Sequence, residues 1–468
     1  MTGAAIVYAL AGTPNFSQGG PMPGSHDQSL SSTAPMPALA PASAAPAERM
    51  SLPRALERIE VLDILRGIAL IGMFLVHFNY YEATPPGVEP GRLAHFIEQF
   101  LGVFIEERFY AMFAMLFGVG FAVQLTRAEA RGEPFVGRYL RRLAALAVFG
   151  FIAEGVFGYN VLLGYAMWGV PLLLVRKWPV KALLVLLVLC AGSRQIYSVG
   201  RIVAASRQPN GIAEYKAGNQ ARMAKFMAGR DSLRAAEQSP SWKTVVAARV
   251  RFMPRFHWQW NRFPNSSFIL FLLGMIGWKL GLFTRPEARK RLIVGLMVFG
   301  AASSALVMFA FPLGGPVPPQ PNPDSPVWSS IAALARNTGF GLVRPELLAF
   351  AYIGIVLLLV AHNRAWLQRL SFFGWAGKMA LTNYMMQVMI LDVFGSPKGF
   401  GIKLPALLVF PSAIALFVAQ VYMSRWWLSH FRLGPLEWVW RSITYRKVQP
   451  LRIERAPFAP RLAMEVGD

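Results

Sequence analysis

Apolar runs of about spanning length recur from residue 62 to residue 424, separated by short polar connections. A membrane-crossing helix needs ~20 predominantly apolar residues. The pattern predicts spans near 62–81, 107–126, 140–157, 160–175, 179–198, 265–283, 291–312, 346–361, 372–394 and 404–424. The expected fold is therefore all-α: a polytopic membrane protein of about ten transmembrane helices.

Loop charge gives an independent reading of that pattern. Arg54 and Arg58 precede the first run, and Arg127, Arg131, Arg138, Arg141 and Arg142 follow the second. Arg176, Lys177 and Lys181 follow the fourth, and Arg285, Arg289, Lys290 and Arg291 the sixth. Arg364 and Arg369 follow the eighth, and Arg425, Arg432, Arg441, Arg446 and Lys447 the tenth. Every second connection is basic, which by the positive-inside rule puts both termini in the cytoplasm of a bacterial inner membrane. Residues 200–262 dissent, with twelve Lys and Arg against Glu214, Asp231 and Glu237 on the outer side. Loops of about 60 residues or more translocate largely regardless of charge. Within this loop Gly211–Gln238 reads as an exposed helix and Trp242–Trp260 as amphipathic and interfacial.

Composition sharpens the class. Of 468 residues 54% are hydrophobic, mean hydropathy is +0.40 and only 15% are charged, against ~25% in soluble domains. The net charge of +23 suits loops held against anionic lipid, not a nucleic-acid partner. Residues 1–57 are rich in Ala, Pro and Ser and read as disordered. The opening MTGAAIVYALAG lacks a basic segment, so it is not read as a signal peptide, and Met50 is an alternative start. The helical domain spans 58–446, and 447–468 form a tail. The lone Cys190 lies in an apolar run, which leaves no intrachain disulfide or cysteine cluster and predicts a buried, inert thiol.

Ionisable groups within the spans are candidates for function. The first, LDILRGIALIGMFLVHFNYYE, carries Arg66 and His77 eleven residues apart. That separation is about 1100°, within about 20° of three full turns, so both share one face roughly 16 Å apart along the axis. Asp63 lies one turn before Arg66 and can pair with it. Neutral imidazole can act as a general base; the competing reading is a histidine hydrogen-bonded to a neighbouring helix. For Arg66 the competing reading is a residue that snorkels to the interface.

Other polar groups lie at span ends or inside them: Glu106, Glu107, Arg108 and Tyr110; Glu154, Tyr159, Asn160 and Tyr165; Asn265, Ser266 and Ser267; and Lys378, Thr382, Asn383, Gln387 and Asp392. Asn383 and Gln387 read either as interhelical glue or as substrate contacts, and Glu107 with Arg108 either as an interfacial pair or as site residues. Gly274, Gly277 and Gly281 offer small-residue spacing for close helix packing. No HExxH, P-loop, GxSxG or dinucleotide fingerprint is present. His26, His95, His257, His362 and His430 lack ligand spacing, so no metal site is expected.

Four stretches resemble the YeiB-like bacterial membrane proteins: RIEVLDILRGIALIGM, ERFYAMFAMLFGVGFA, GKMALTNYMMQ and GPLEWVWRSITY. That family is similar to transmembrane acyltransferases, the acyltransferase-3 proteins and the lysosomal heparan acetyltransferase. An arginine, ten residues and a histidine in the first span mark the acyltransferase-3 group, and Arg66 and His77 match. Two positions depart from the YeiB-like pattern: His77 stands where asparagine is frequent, and Tyr159-Asn160-Val161-Leu162 where Gly-Asp-Ile-Leu is common.

The resemblance implies an inner-membrane acyltransferase with no bound cofactor and acyl-CoA as co-substrate. Arg66, and with it Lys378, would meet the donor's negative charge, assisted by Asp63, Arg108, Asn160, Asn383 and Gln387 as substrate contacts. His77 would take the acceptor hydroxyl's proton or carry the acyl group, with Glu107 orienting it. The acceptor would be a small molecule or glycan on the outer side. A small-molecule transporter and a non-catalytic scaffold are the rival readings, since the same buried polar groups can line a path.

Overall fold

A computed structural model describes residues 52–79, 92–159, 161–261, 266–310 and 345–453. Among these the chain is helical, without a β-strand; one antiparallel bridge joins Phe431 to Arg452. The reading of 1–50, the outer connection before residue 92 and the positions Asn160 and Asn265 lie outside the described residues.

Helix α1 runs Leu52–Asn79, α2 Arg92–Phe100, α3 Arg108–Ala130, α4 Val136–Gly155, α5 Val161–Gly169 and α6 Leu172–Val175. They are followed by α7 Val180–Ser206, α8 Gly211–Glu237, α9 Trp242–Asn261, α10 Ser266–Lys279 and α11 Lys290–Ala310. The last five are α12 Ala349–His362, α13 Ala365–Lys378, α14 Ala380–Gly395, α15 Ala406–His430 and α16 Pro435–Tyr445. A π-turn over Leu101–Ile105 joins α2 to α3, and a 3-10 turn over Pro345–Leu348 leads into α12.

By length and composition four helical stretches can cross a membrane: Glu60–Phe78, His95–Ala130, Lys290–Val307 and Leu408–His430. The pair Val180–Ser193 and Ile196–Ser206, bent by 48°, makes a fifth if it is one span. Val161–Val175, Ser266–Lys279 and Glu346–His362 are shorter apolar helices. Each of the ten predicted runs thus falls on helix, but several are too short or too charged to qualify alone. Helix α4 is one of these, with Arg138, Arg141 and Arg142 in its first two turns.

Helix α1 is the centre of the bundle: 72% of its apolar window is buried, against 28% for α11. It packs against α3, α12, α13, α14 and α15. The outward faces of the peripheral helices stay apolar, as with Val185 and Leu189 on α7 and Val298 and Leu306 on α11. Exposed apolar stripes of this kind suit lipid and not water.

Two crossings rest on reciprocal glycines. A Cβ on Gly67 would fall 1.9 Å from the Phe373 carbonyl oxygen, and one on Gly377 would fall 1.8 Å from that of Asp63. Likewise Gly118 of α3 faces the Phe271 carbonyl at 2.0 Å, and Gly274 of α10 faces that of Met115 at 1.9 Å. Backbones at such spacing tolerate no side chain, the small-residue packing that replaces hydrophobic drive inside lipid. Of the three glycines expected to pack helices in the α10 region, only Gly274 does so. Gly277 meets side chains of its own following turn, Leu282 and Phe283, and Gly281 has φ +77° and makes that turn.

The basic loop folds as the sequence pattern implies in part. Helix α8 is largely exposed and pairs with α9. Helix α9 does not simply lie at an interface: it packs on α4 and buries Val245, Phe252, Met253 and His257. Arg249 fixes it there, with Nη1 donating to the Val156 carbonyl at 2.6 Å and to Asp392 at 3.1 Å, while Nε donates to Glu237 at 3.0 Å. Asp392 also holds the ammonium of Lys398, which sits 4.2 Å over the Trp242 ring. Burial pulls the Lys398 ammonium below its ordinary value, with Asp392 opposing the shift.

Candidate functional site

The two ends of α1 carry different chemistry. Near its first buried turns Arg66 Nη1 donates to Asp63 Oδ1 at 2.6 Å. Asp63 is buried, whereas the Arg66 side chain is 30% exposed, so the guanidinium is paired yet accessible. Gly120 of α3 stands beside it, where a Cβ would lie 3.7 Å from Nη2. Lys378 and Arg441 lie close enough to act on Asp63 through their charge, and Arg66 and Arg441 act likewise on Arg142. The Arg142 guanidinium stacks 3.7 Å from the centroid of Trp440, whose Nε1 donates to the Arg142 carbonyl at 2.8 Å. Three cations therefore act on one carboxylate and a fourth, Arg142, adjoins two of them, and a polyanion suits the surplus.

Arg66 and Lys378, both expected to meet a donor's negative charge, both act on Asp63. Arg142 and Arg441 join them, although the sequence offered them only as loop and tail charges. The fold supplies their positions: α16 packs on α4 and brings GPLEWVWRSITY against the first turns of that helix.

The same motif locks α14. Glu437 Oε1 accepts from the backbone N–H groups of Leu381 at 2.7 Å and Thr382 at 3.0 Å, and Oε2 accepts from the Thr382 hydroxyl at 2.5 Å. Thr382 Oγ1 accepts in turn from the Leu436 N–H at 3.1 Å. A carboxylate supplied from another helix thus caps the first turn of α14. Burial pushes the Glu437 carboxyl above its ordinary value, and the Thr382 and Leu381 donors pull it part of the way back. Two of the motifs singled out in the sequence are therefore one structural unit.

At the far end of α1, His77 meets the Tyr159 ring at 4.7 Å between centroids, tilted by 58°. Both its ring nitrogens are buried and have no hydrogen-bond partner among the described residues. The reading of His77 as a histidine satisfied by a neighbouring helix is therefore not what the structure displays. Glu107 does not reach it: that residue sits in the left-handed region, φ 61°, at the start of α3. The expected orienting role of Glu107 fails on this geometry, since neither ring nitrogen of His77 accepts or donates a bond to it.

Around the same end lie groups the sequence did not bring together. His257 Nε2 and Glu154 Oε2 are 2.7 Å apart, and both residues are buried. The Tyr159 N–H donates to the Ala153 carbonyl at 3.0 Å, so the turn that follows Glu154 at the end of α4 carries the ring that touches His77. The Tyr384 hydroxyl of α14 is buried without a partner among the described residues and feels the charge of Glu154. Tyr110 and Ser267 share a hydrogen bond of 2.6 Å, and the Tyr165 hydroxyl donates to the Tyr110 carbonyl at 3.4 Å. His257 carried no signal in sequence, being one basic-loop residue without partner spacing.

The other expected substrate contacts are engaged within the protein. Arg108 Nη1 donates to the carbonyls of Gly102 at 2.8 Å and Glu106 at 2.7 Å, clamping the π-turn. Asn383 Nδ2 donates to Ala376 O at 3.0 Å and Ser424 Oγ at 2.9 Å, and Gln387 Nε2 donates to Gln420 Oε1 at 2.9 Å. These amides tie α14 to α13 and α15, as interhelical glue does. Asn160 is not among the described residues. No group of three or more His, Cys, Asp or Glu side chains that could hold a metal occurs among the described residues.

Residues 58–208 match a family model described as heparan-alpha-glucosaminide N-acetyltransferase, catalytic, and residues 277–447 match one described as protein of unknown function (DUF418). The first region holds both Arg66 and His77. No solved structure matches the chain. It is 30% identical over 421 residues to the uncharacterized protein YxaH of Bacillus subtilis, covering 84% of this chain and 96% of that protein. It is 25% identical over 417 residues to the uncharacterized protein YeiB of Escherichia coli, covering 84% and 98%. Between a relative matched over nearly its whole length and a DUF418 match across the C-terminal helices, the chain belongs to the YeiB-like family of membrane proteins.

Proposed function

We propose that this protein is an inner-membrane acyltransferase that moves an acyl group from a cytoplasmic acyl-CoA to a hydroxyl on the outer side. The observation that carries the reading is the division of α1: a cation cluster at one end and a buried, hydrogen-bond-free imidazole at the other. The acetyltransferase match over 58–208 supports it. In this reading there are ten spans and both termini are cytoplasmic, which puts Arg66, Arg142, Lys378 and Arg441 at the inner surface.

The phosphates of CoA meet those four cations, of which Lys378 and Arg441 are exposed and Arg66 is partly so. The elongated pantetheine arm then bridges the roughly 16 Å to His77. The His77 imidazole attacks the thioester carbonyl: a C–N bond forms, the C–S bond breaks, and the thiolate leaves with the electron pair and takes up the ring proton. Neutral imidazole is the nucleophile this step needs. The acyl group is then presented to an outer acceptor.

Purified protein in lipid nanodiscs, supplied with acetyl-CoA, should release CoA and become acetylated at His77. A His77→Ala variant should do neither. CoA release by that variant at the wild-type rate refutes the role of His77, and failure of the wild-type protein to bind acetyl-CoA at all favours a transporter.

A further inference from the structure

The outer loop 200–262 is more than a connection. It delivers His257 onto Glu154 in the last turn of α4. We infer that His257, oriented by Glu154, is the general base that activates the acceptor; this rests on the acyltransferase reading above and assigns its second half.

Geometry carries the assignment. The His257 Nε2–Glu154 Oε2 distance of 2.7 Å is that of a carboxylate holding an imidazole in one tautomer and orientation. Each residue is 8% exposed. Burying such a pair is a poor way to gain stability, because the loss of hydration offsets the attraction. Helix α9 has no need of it as an anchor: Arg249 already ties that helix to Val156, Asp392 and Glu237.

The pair also sits where the acyl group would arrive. Glu154 precedes by a few residues the Tyr159 ring that covers His77, and Ala153 and Tyr159 are joined by a backbone bond. The buried Tyr384 hydroxyl, unpartnered among the described residues, adds a donor near Glu154 that can meet a carbonyl oxygen. The dyad thus sits at the end of α4, five residues before the ring that touches the orphan imidazole, and buried titratable groups gathered near one turn mark chemistry more often than scaffolding.

In the step assigned, the acceptor oxygen attacks the acyl carbonyl on His77 while His257 takes the acceptor proton. The C–N bond to His77 breaks, its electron pair stays on the ring nitrogen, and His257 returns the proton there. An ester is released and both imidazoles are restored. Glu154 is a positioning residue, acting through His257.

Water serves as the acceptor probe and acetyl-CoA as the donor, with rapid-quench measurement of CoA release in nanodiscs. Wild-type protein should give one fast equivalent of CoA and then a slower steady rate. His257→Gln, which keeps an amide to meet Glu154 but cannot shuttle a proton, should keep the fast equivalent and lose on the order of 10²-fold in the steady rate. Its acetylated His77 should accumulate in intact-protein mass spectra. Glu154→Gln should follow in the same direction with a smaller loss. A His257→Gln steady rate within threefold of wild type, with the fast equivalent intact, overturns the dyad and leaves the role of His77 standing. Loss of the fast equivalent in a folded His257→Gln variant also overturns it, by placing His257 in the first step. Absence of a fast equivalent in wild type removes the acyl-His77 reading and the dyad with it.

Discussion

Substituting Gly67 with alanine tests the assembly of the inner cluster at its tightest point. A Cβ there falls 1.9 Å from the Phe373 carbonyl oxygen, against a van der Waals separation of roughly 3.5 Å, so α1 and α13 must part by roughly 1.5 Å. Backbone on both sides bars a side-chain rotation that would relieve the clash. Overpacking of this kind costs about 1–3 kcal/mol. Alanine also favours a helix interior over glycine by up to about 1 kcal/mol, so a control is needed that shares this gain without the clash. Gly295 of α11 provides it, because a Cβ there meets nothing within 4 Å. The difference between Gly67→Ala and Gly295→Ala then isolates the clash. Thermal unfolding of purified protein, followed by the monodisperse fraction surviving in detergent, should rank Gly295→Ala at or above wild type and Gly67→Ala well below it. Because Lys378 closes α13 next to Gly377, the parted helices should also raise the KM for acyl-CoA. Equal midpoints for the two variants would refute the reasoning.

The remaining tests address the cap, the cluster and the helix lock. Arg249→Ala removes three partners of α9 but leaves Lys398 on Asp392, so the loss should fall at or below the low end of the ~3–5 kcal/mol seen for broken buried pairs; limited proteolysis within 200–262 should accelerate. If the proposed acyltransferase reading holds, Arg66→Ala and Arg142→Gln should raise the KM for acyl-CoA about tenfold or more each with a smaller effect on kcat, since that reading has them meet the donor and not the reacting carbon; a fall in kcat alone would place them elsewhere. Glu437→Ala uncaps α14 and should cost about 1–2 kcal/mol in the same unfolding assay. Glu437→Gln should lose less. A carboxyl raised in the fold contributes fully below its unfolded value and loses that contribution as pH rises through its folded value, so the Gln variant should remove the fall in stability that sets in just above the ordinary carboxylate range; an unchanged profile counts against this assignment.

What was legible in the sequence followed from periodicity and from solvent. Lipid demands apolar length, so the helices could be read from composition, and the one-face relation of Arg66 and His77 follows from helical pitch alone. The pairing of Asp63 with Arg66 is local and was equally accessible. What could not be read depends on contacts between segments far apart in the chain. Arg142 and Arg441 are nearly 300 residues apart and look like ordinary inner-surface charge until α16 folds against α4. Glu437 looks like a motif letter until its carboxylate is found on the first turn of α14.

His257 marks the limit most sharply, and for a physical reason. Helical pitch places residues of one helix on a face, but it says nothing about which side chain a long outer loop will fold back into the bundle. The loop's surplus of positive charge pointed toward solvent and lipid headgroups. Yet Arg249, one of those charges, is spent on Val156 and the buried Asp392, and that anchor sets α9 so that His257, eight residues on, meets Glu154. Eight residues are just over two turns of helix, about 12 Å of rise, so one buried anchor sets the position of the next. The loop's charge is therefore in part the device that positions its one buried histidine, and a sequence reading that treats the charge as uniform necessarily overlooks both.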